Sequence, residues 1–138
     1  MRVKEKKKKI KKKFLTSHQQ KNLNFSLKIG FIYIQSSYNN TILTIKNENK
    51  KVIFVTSTGV YGFKHTKKGT PFAAYTMSIK VFERIKIKKA KIFVCGPGPG
   101  KDAVLRVLHD NNIIERIILF DVNKLPHNGC KAPITRRV

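Results

Sequence analysis

The stretch from Ala90 to Leu108 constrains the fold more than any other part of the sequence. Residues 92–96 are apolar or small and are typical of a buried strand. They run into the loop GPGPG (residues 96–100), after which aliphatic residues recur at helical spacing and Asp102 falls in the first turn, where a negative charge suits the helix dipole. A second strand-like run follows at residues 117–120. The stretch therefore predicts a strand–helix–strand unit.

The glycine-proline loop also predicts an anion site, because backbone amides at a helix N-terminus attract phosphate. A nucleotide P-loop is not formed, since Cys95 and Asp102 replace its first glycine and its hydroxyl residue. The dinucleotide fingerprint fits better, because residues 98–103 have its glycine spacing and Asp121 follows about 20 residues later. Against it, Pro99 lacks an amide that a pyrophosphate would use. At this point a cofactor and some other anion both stay open.

Charge is the strongest compositional signal: 30 Lys and Arg face 7 Asp and Glu, a net charge of +23. A soluble monomer gains nothing from repelling itself this strongly, so we expect a polyanion as partner. A membrane span is not expected, since no run approaches the ~20 apolar residues that one requires. Cys95 and Cys130 are too far apart in sequence for a metal pair and do not indicate an oxidising compartment. Residues 1–13 lack an apolar signal region, so we expect action in the compartment of synthesis.

Three regions are predicted along the chain. Residues 1–27 are a basic disordered arm and a polar linker, because residues 1–13 carry nine bases and one acid, a local net of +8. Residues 28–121 form one α/β domain with the order βββ-α-β-α-β, and its first three strands form an antiparallel meander. Residues 122–138 are an extended basic tail, poor in periodic hydrophobic residues.

The loop at residues 58–69 precedes a helix that starts at Thr70 and Pro71, a hydroxyl N-cap followed by proline at the first helical position. Tyr61 and Phe63 alternate with lysines in this loop, a composition that fits stacking on nucleic acid. The alternative is a solvated loop with its aromatic rings tucked beneath it. A core-facing stripe is predicted at three- and four-residue steps: Phe72, Tyr75, Ile79, Phe82 and Ile85.

Catalysis is not indicated by the sequence. The seven acids are scattered, and His127 with Cys130 makes a poor nucleophile–base pair because the two lie three residues apart in an extended tail. His65 suits a phosphate contact about as well as an ordinary loop position. A nucleic-acid-binding regulator should carry a groove-reading helix or a zinc site, and neither is seen. A small NAD-type dinucleotide-binding enzyme using the GPGPG loop would need a second domain and a less basic surface.

Five blocks resemble the signatures of the small-subunit ribosomal protein eleven family, in its bacterial and plastid-type branch. They occur in the family's order across residues 28–138: SSYNNTILTI, GFKHTKKGTPFAA, GPGPGKDAVLR, DVNKLPHNGC and RRV. The resemblance implies a ribonuclease-H-like three-layer α/β/α fold with a mixed five-stranded sheet and no enzymatic activity. It implies a structural constituent of the small ribosomal subunit, which binds rRNA on the platform and bridges rRNA helices near the messenger exit and Shine-Dalgarno cleft.

The resemblance also implies partners and a binding set, without a metal or cofactor. The partners are small-subunit rRNA, the small-subunit proteins seven, eighteen and twenty-one, and messenger RNA nearby. Abundant Lys, Asn and Ile indicate an AT-rich genome, so we expect a ribosome in a plastid-type organelle (an apicoplast or a reduced plastid), with a bacterial cytoplasm or a mitochondrion as alternatives. The rRNA-binding residues implied by position are Asn39, Asn40, Lys64, Lys67, Lys68, Gly96, Gly98, Gly100, Lys101, Arg106, His127, Asn128, Gly129, Lys131, Arg136 and Arg137.

Physical reasoning adds three expectations to this set. The glycines of the GPGPG loop would let the backbone approach rRNA closely, while its prolines stiffen the loop. His65 stands where relatives often have glycine, which is unfavourable for a close approach there. The pair Asn128-Gly129 is prone to form isoaspartate, because glycine leaves the following amide open to attack the asparagine side chain.

Overall fold

The computed structural model describes residues 25–110, 114–131 and 134 of the chain. The elements, in order, are β1 (Phe25–Ser36), β2 (Thr41–Lys46), β3 (Val52–Ser57), two short 3₁₀ helices (Thr58–Tyr61 and His65–Gly69), α1 (Pro71–Phe82), β4 (Ile85–Cys95), α2 (Gly100–Asp110) and β5 (Arg116–Asp121). The predicted order βββ-α-β-α-β is therefore confirmed. Of the predicted arm and linker, residues 1–24 lie outside the described residues, whereas residues 25–27 belong to β1.

The five strands form one mixed sheet in the order β3-β2-β1-β4-β5. Strand β2 is antiparallel to both β1 and β3, which confirms the predicted meander. Strands β1, β4 and β5 run parallel, with Ile32 opposite Ile92 and Ile92 opposite Leu119. The α/β class and the mixed five-stranded sheet follow as predicted.

The hydrophobic core lies between one face of the sheet and the two helices, which also pack against each other. Alternate strand residues such as Ile32, Leu43 and Ile92 point into it and are fully buried. The helices contribute Met77 from α1 and Leu108 from α2. Among the described residues both helices cover this face, and the opposite face of the sheet carries half-exposed aromatic side chains.

The buried side of α1 differs from the predicted stripe. Phe72 and Tyr75 are exposed, at 69% and 44%, and the helix buries a row made mostly of smaller residues instead. These residues are Ala73, Ala74, Met77, Ser78, Val81 and Phe82. The small side chains let α1 approach its neighbours closely: a methyl group added at Gly100 of α2 would lie 3.2 Å from Ala74 Cβ. The predicted start is confirmed, since the Thr70 hydroxyl caps the helix by accepting a hydrogen bond from Ala73 N–H at 3.3 Å.

Strand β4 begins earlier than the sequence indicates, at Ile85 rather than near Ile92. Ile85 therefore belongs to a strand and not to the helical stripe. The burial alternation changes phase in the middle of β4, because Ile87 and Ala90 are buried while Lys88 and Lys89 between them are exposed. That break, together with the lysines, hides the two-residue period of the strand.

Candidate nucleic-acid interface

The sheet topology brings most of the predicted binding segments to one edge, which we call the carboxyl edge. The parallel strands β1, β4 and β5 end there at Ser36, Cys95 and Asp121, which occupy neighbouring register positions. Strand β3 ends at the same edge, because Ser57 pairs with Ile42 next to the start of β2. The segments 37–40, 58–69, 96–100 and 122–131 all follow directly. Residues far apart in sequence are thus gathered at one end of the sheet.

The turn between β1 and β2 is held rigidly by its own polar groups. Ser37 N–H donates to the Asn40 carbonyl at 2.9 Å, and Asn40 N–H donates to the Ser37 hydroxyl at 3.1 Å. The turn also packs against the next loop, where the buried Thr58 hydroxyl lies 2.7 Å from Asn40 Oδ1 and 2.9 Å from the Lys68 carbonyl oxygen. Asn40 therefore positions two loops relative to each other. Its neighbour Asn39 is exposed at the surface of the turn.

The loop at residues 58–69 presents Lys64 and Lys67 as exposed side chains, whereas Lys68 is half-buried. His65 is also exposed and has a φ of 50°, in the left-handed region that favours glycine. That backbone conformation explains physically why glycine suits this position. The loop is compact, since Gly69 leaves no room for a Cβ beside the Tyr38 carbonyl.

The two aromatic rings of this loop are engaged inside the protein. Tyr61 packs against the core, and Lys80 Nζ lies 5.5 Å from its ring centroid. Phe63 meets Phe72 edge to face, with ring centroids 6.1 Å apart. The structure thus favours the alternative in which the rings support the loop, rather than a stacking surface for bases.

The GPGPG loop is pressed against the β1–β2 turn. A Cβ added at Gly96, Gly98 or Gly100 would lie well under 3.0 Å from atoms of Ser36, Ser37 or Thr41. Gly98 and Gly100 are buried, while Pro97 and Pro99 form the exposed crest. These contacts give the glycines an internal role, because the protein's own turn leaves no room for a Cβ there; their approach to rRNA stays a prediction. A contact of the exposed crest with rRNA stays a prediction.

The amides of the loop are also used internally. Gly96 N–H donates to Asn123 Oδ1 at 2.7 Å, and Gly98 N–H donates to the Ser36 carbonyl at 3.0 Å. Pro97 and Pro99 have no amide hydrogen to offer. A pyrophosphate cradle needs several of these groups to point at the ligand. The dinucleotide alternative therefore lacks support.

The remaining predicted residues fall into three groups. Lys101 is half-buried in the first turn of α2, and Arg106 is exposed further along it, on a groove of about 510 Å³ between α1 and α2. Residues 122–131 form neither helix nor strand and are exposed. They include four residues of the predicted set: His127, Asn128, Gly129 and Lys131. Arg136 and Arg137 lie outside the described residues.

The start of the tail is fixed to the carboxyl edge by Asn123, a residue absent from the predicted binding set. Its side-chain oxygen accepts from Gly96, and its own N–H donates to the Asp121 carboxylate at 3.2 Å. An Asp or Asn that bonds a backbone amide two residues on is a common turn former, so the Asp-x-Asn spacing is the signal that could have found it. Asn128 further on has a φ of 48° and stays a predicted isoaspartate site.

The described residues contain no group of three or more His, Cys, Asp or Glu that could hold a metal ion. Cys95 and Cys130 are free thiols. Neither helix in the described part of the chain has the length and apolar character needed to cross a membrane. The fold and the candidate site together define a strongly basic α/β protein whose loops are assembled at one sheet edge.

Comparison with known proteins identifies the family to which the chain belongs. The profile of the family described as Ribosomal protein S11 matches residues 30–137. The small ribosomal subunit protein uS11c of Psilotum nudum is 41% identical over 129 residues, 91% of this chain and 96% of its own. The proteins of the same name from Pisum sativum and Physcomitrium patens are 45% and 44% identical over 112 residues, 79% of this chain and 80% and 85% of theirs. The chain therefore belongs to the ribosomal protein S11 family, as the sequence blocks predicted.

Proposed function

We propose that this chain is a non-enzymatic structural constituent of the small ribosomal subunit that binds small-subunit rRNA through its carboxyl edge. One observation carries the proposal: the topology gathers segments 37–40, 58–69, 96–100 and 122–131 at a single edge. The exposed lysines of these segments lie in loops that are held by internal hydrogen bonds. Little conformational entropy is therefore lost when RNA binds. Such contacts with phosphates position a protein on folded RNA without reading its sequence.

The position on the subunit is part of the same proposal. Family membership supports a place on the platform, bridging rRNA helices near the messenger exit and Shine-Dalgarno cleft, with proteins seven, eighteen and twenty-one as neighbours. A plastid-type organelle is the proposed compartment, because the land-plant relatives carry the name uS11c. An apicoplast or another reduced plastid fits the Lys-, Asn- and Ile-rich composition.

The carboxyl edge can be tested by removing charge there and at the other end of the sheet. We expect the pair Lys64→Ala and Lys67→Ala to weaken binding to a transcript of the platform domain of the small-subunit rRNA. Because each phosphate contact contributes about 0.7–0.9 to the slope of log K against log salt, the slope should fall by about 1.4–1.8. The measurement is an equilibrium binding titration at several salt concentrations.

The matched control is the pair Lys86→Ala and Lys88→Ala. These lysines are also exposed, but they lie near the start of β4, at the opposite end of the sheet. Both pairs remove two charges, so a general effect of net charge would appear in both variants. Equal slopes for the two pairs would contradict the assignment of the carboxyl edge.

A further inference from the structure

The face of the sheet opposite the helices, which we call the open face, is not covered by any described part of the chain. Its side chains alternate with those of the core and line up across the strands by register. The apolar members that matter here are Val55, Phe31, Tyr33, Phe93, Ile118 and Phe120. Val55, Ile118 and Phe120 are 50%, 43% and 41% exposed.

An open face of this kind is unusual for the strands that form it. Strands β1, β4 and β5 are parallel, and sheets made only of parallel strands occur almost always with both faces covered, although the β1–β3 part of this mixed sheet is antiparallel. An extended apolar surface on a soluble protein marks an interaction site. The open face is thus expected to have an occupant.

The arrangement of the aromatic rings favours a protein over RNA as that occupant. The Tyr33 and Phe93 rings stack at 4.8 Å with an interplanar angle of 12°, and Phe93 and Phe120 stack at 5.0 Å and 13°. These distances match the strand spacing of about 4.7–4.9 Å, so the rings stand upright on the sheet and cover one another. Stacking of a base needs an uncovered ring face. Phe93 has a ring on each side, and its upright edge is what it offers to a partner.

The charged groups of the open face indicate the charge that a protein occupant must carry. Lys46, from the strand on the other side of β1 from β4, places its Nζ 4.4 Å from the Tyr33 centroid, and Lys91 Nζ lies 5.9 Å from the Phe31 centroid. The one acid in the five described strands, Asp121, pairs with Val94, which belongs to the core face. The open face therefore combines apolar area with cationic groups, which include Lys89 two residues before Lys91 on β4, and no carboxylate from these strands.

We propose that the open face docks a second protein, through an apolar segment that carries an acidic side chain. The apolar part covers the ring edges and the aliphatic side chains such as Val55 and Ile118. The acidic side chain meets Lys46 or Lys91, since complementary charges fix the register of an interface. This surface is separate from the carboxyl edge, so a docked protein and bound RNA are compatible.

The test places a photoreactive benzoylphenylalanine at Val55, and in a second variant at Ile118, in the full-length chain within small ribosomal subunits. The experiment uses small ribosomal subunits, and in that respect it rests on the proposed function. The docking proposal itself is argued from the open face alone. Irradiation is expected to join both positions to the same neighbouring protein, in an adduct that resists ribonuclease. Mass spectrometry should place the linked residue in an apolar segment containing Asp or Glu.

Other products of irradiation overturn the proposal. A ribonuclease-sensitive adduct would mean that RNA covers the open face, and an adduct with residues 1–24 of the chain itself would mean a self-contact. No adduct in normally assembled subunits would mean that the face is bare. None of these results contradicts the proposed rRNA binding. If the chain were absent from small subunits, that result would contradict the proposed ribosomal function but not the proposed docking on the open face.

Charge reversal tests the acidic part of the partner. In the Val55 photoreactive background, Lys46→Glu with Lys91→Glu should lower the adduct yield about tenfold, because like charges at an interface repel. The control, Lys86→Glu with Lys88→Glu, makes the same charge change nearer the start of β4, outside the register positions of the stacked rings, and should stay within about twofold. Circular dichroism confirms that each variant is folded. Equal losses in the two pairs would overturn the acidic partner.

Discussion

At the scale of single residues, the glycines of the GPGPG loop show where sequence reasoning succeeds and where it stops. Their spacing marks a tight loop before a helix, and that local structure is confirmed. What the spacing does not contain is the neighbour, because Gly98 packs against Ser36 and Ser37, some sixty positions earlier in the chain. A glycine required by a distant backbone and one required by a ligand have the same sequence signature. The contact that decides between them is tertiary.

Gly98→Ala is expected to destabilise the protein, because the new methyl group would meet the Ser37 carbonyl oxygen and the Ser36 hydroxyl. Overpacking of this kind costs about 1–3 kcal/mol in the free energy of unfolding. In a domain of this size each kcal/mol lowers the melting temperature by roughly 4–8 °C. Thermal unfolding followed by circular dichroism measures it in the absence of RNA.

Gly129→Ala is the control for that prediction. Nothing lies within 4 Å of a Cβ at this position. Its unfolding free energy should stay within about 0.5 kcal/mol of the parent. If Gly98→Ala were as harmless as Gly129→Ala while rRNA affinity fell, the predicted close approach of the loop glycines to rRNA would be supported over the internal role.

At the scale of secondary-structure elements, the sequence predicts which elements exist better than it predicts where each one faces. It predicts all five strands and both helices in order, because turn residues and hydrophobic periods are local signals. The errors occur where apolar residues of a helix and of the next strand happen to continue the same helical spacing. Phe82 and Ile85 are three residues apart and continue a helical stripe, yet the helix ends at Phe82 and Ile85 opens β4. Of the three aromatic residues in the predicted stripe, Phe82 is buried as predicted, whereas Phe72 and Tyr75 are exposed because the close helix packing there is made by Ala73, Ala74 and Ser78.

The buried side of α1 can be tested by comparing two substitutions. Met77 is fully buried, so Met77→Ala should cost about 2–5 kcal/mol in the free energy of unfolding, from the removal of buried apolar area and the cavity left behind. Phe72 is 69% exposed and touches Phe63, so Phe72→Ala should cost less than about 1.5 kcal/mol. Denaturant unfolding of both variants measures the difference. A larger loss for Phe72→Ala would reinstate the stripe predicted from sequence.

At the scale of the whole molecule, the fold separates surfaces of different chemistry. The carboxyl edge carries loops with exposed lysines, and the open face carries aromatic and aliphatic side chains. The net charge of +23 predicts a polyanionic partner without showing where it binds. The location needs the parallel register of β1, β4 and β5, since that register decides which loops meet. The strand–helix–strand unit around the GPGPG loop contains part of this information, and the pairing of β1 with β4 supplies the rest.

The basic residues at the start of the chain add an electrostatic prediction that rests on sequence alone. Residues 1–13 carry a net of +8, from nine bases and one acid. Each basic side chain that contacts a phosphate releases counterions, and this release favours binding largely regardless of the RNA sequence. If this charge contributes to binding, its effect should depend on its amount and not on the identity of the cation.

We expect deletion of residues 1–13 to reduce incorporation of the chain into small subunits and to lower the salt slope of binding to small-subunit rRNA, by about 0.7–0.9 for each phosphate that is no longer neutralised. A full-length variant with every lysine of residues 1–13 changed to glutamine should behave like the deletion, because it keeps the length and removes most of the charge. Lysine-to-arginine changes at the same positions should behave like the parent. Incorporation is measured by gradient sedimentation and quantitative mass spectrometry of the subunits. Unchanged incorporation of the deletion variant would show that the folded domain and the tail suffice for assembly.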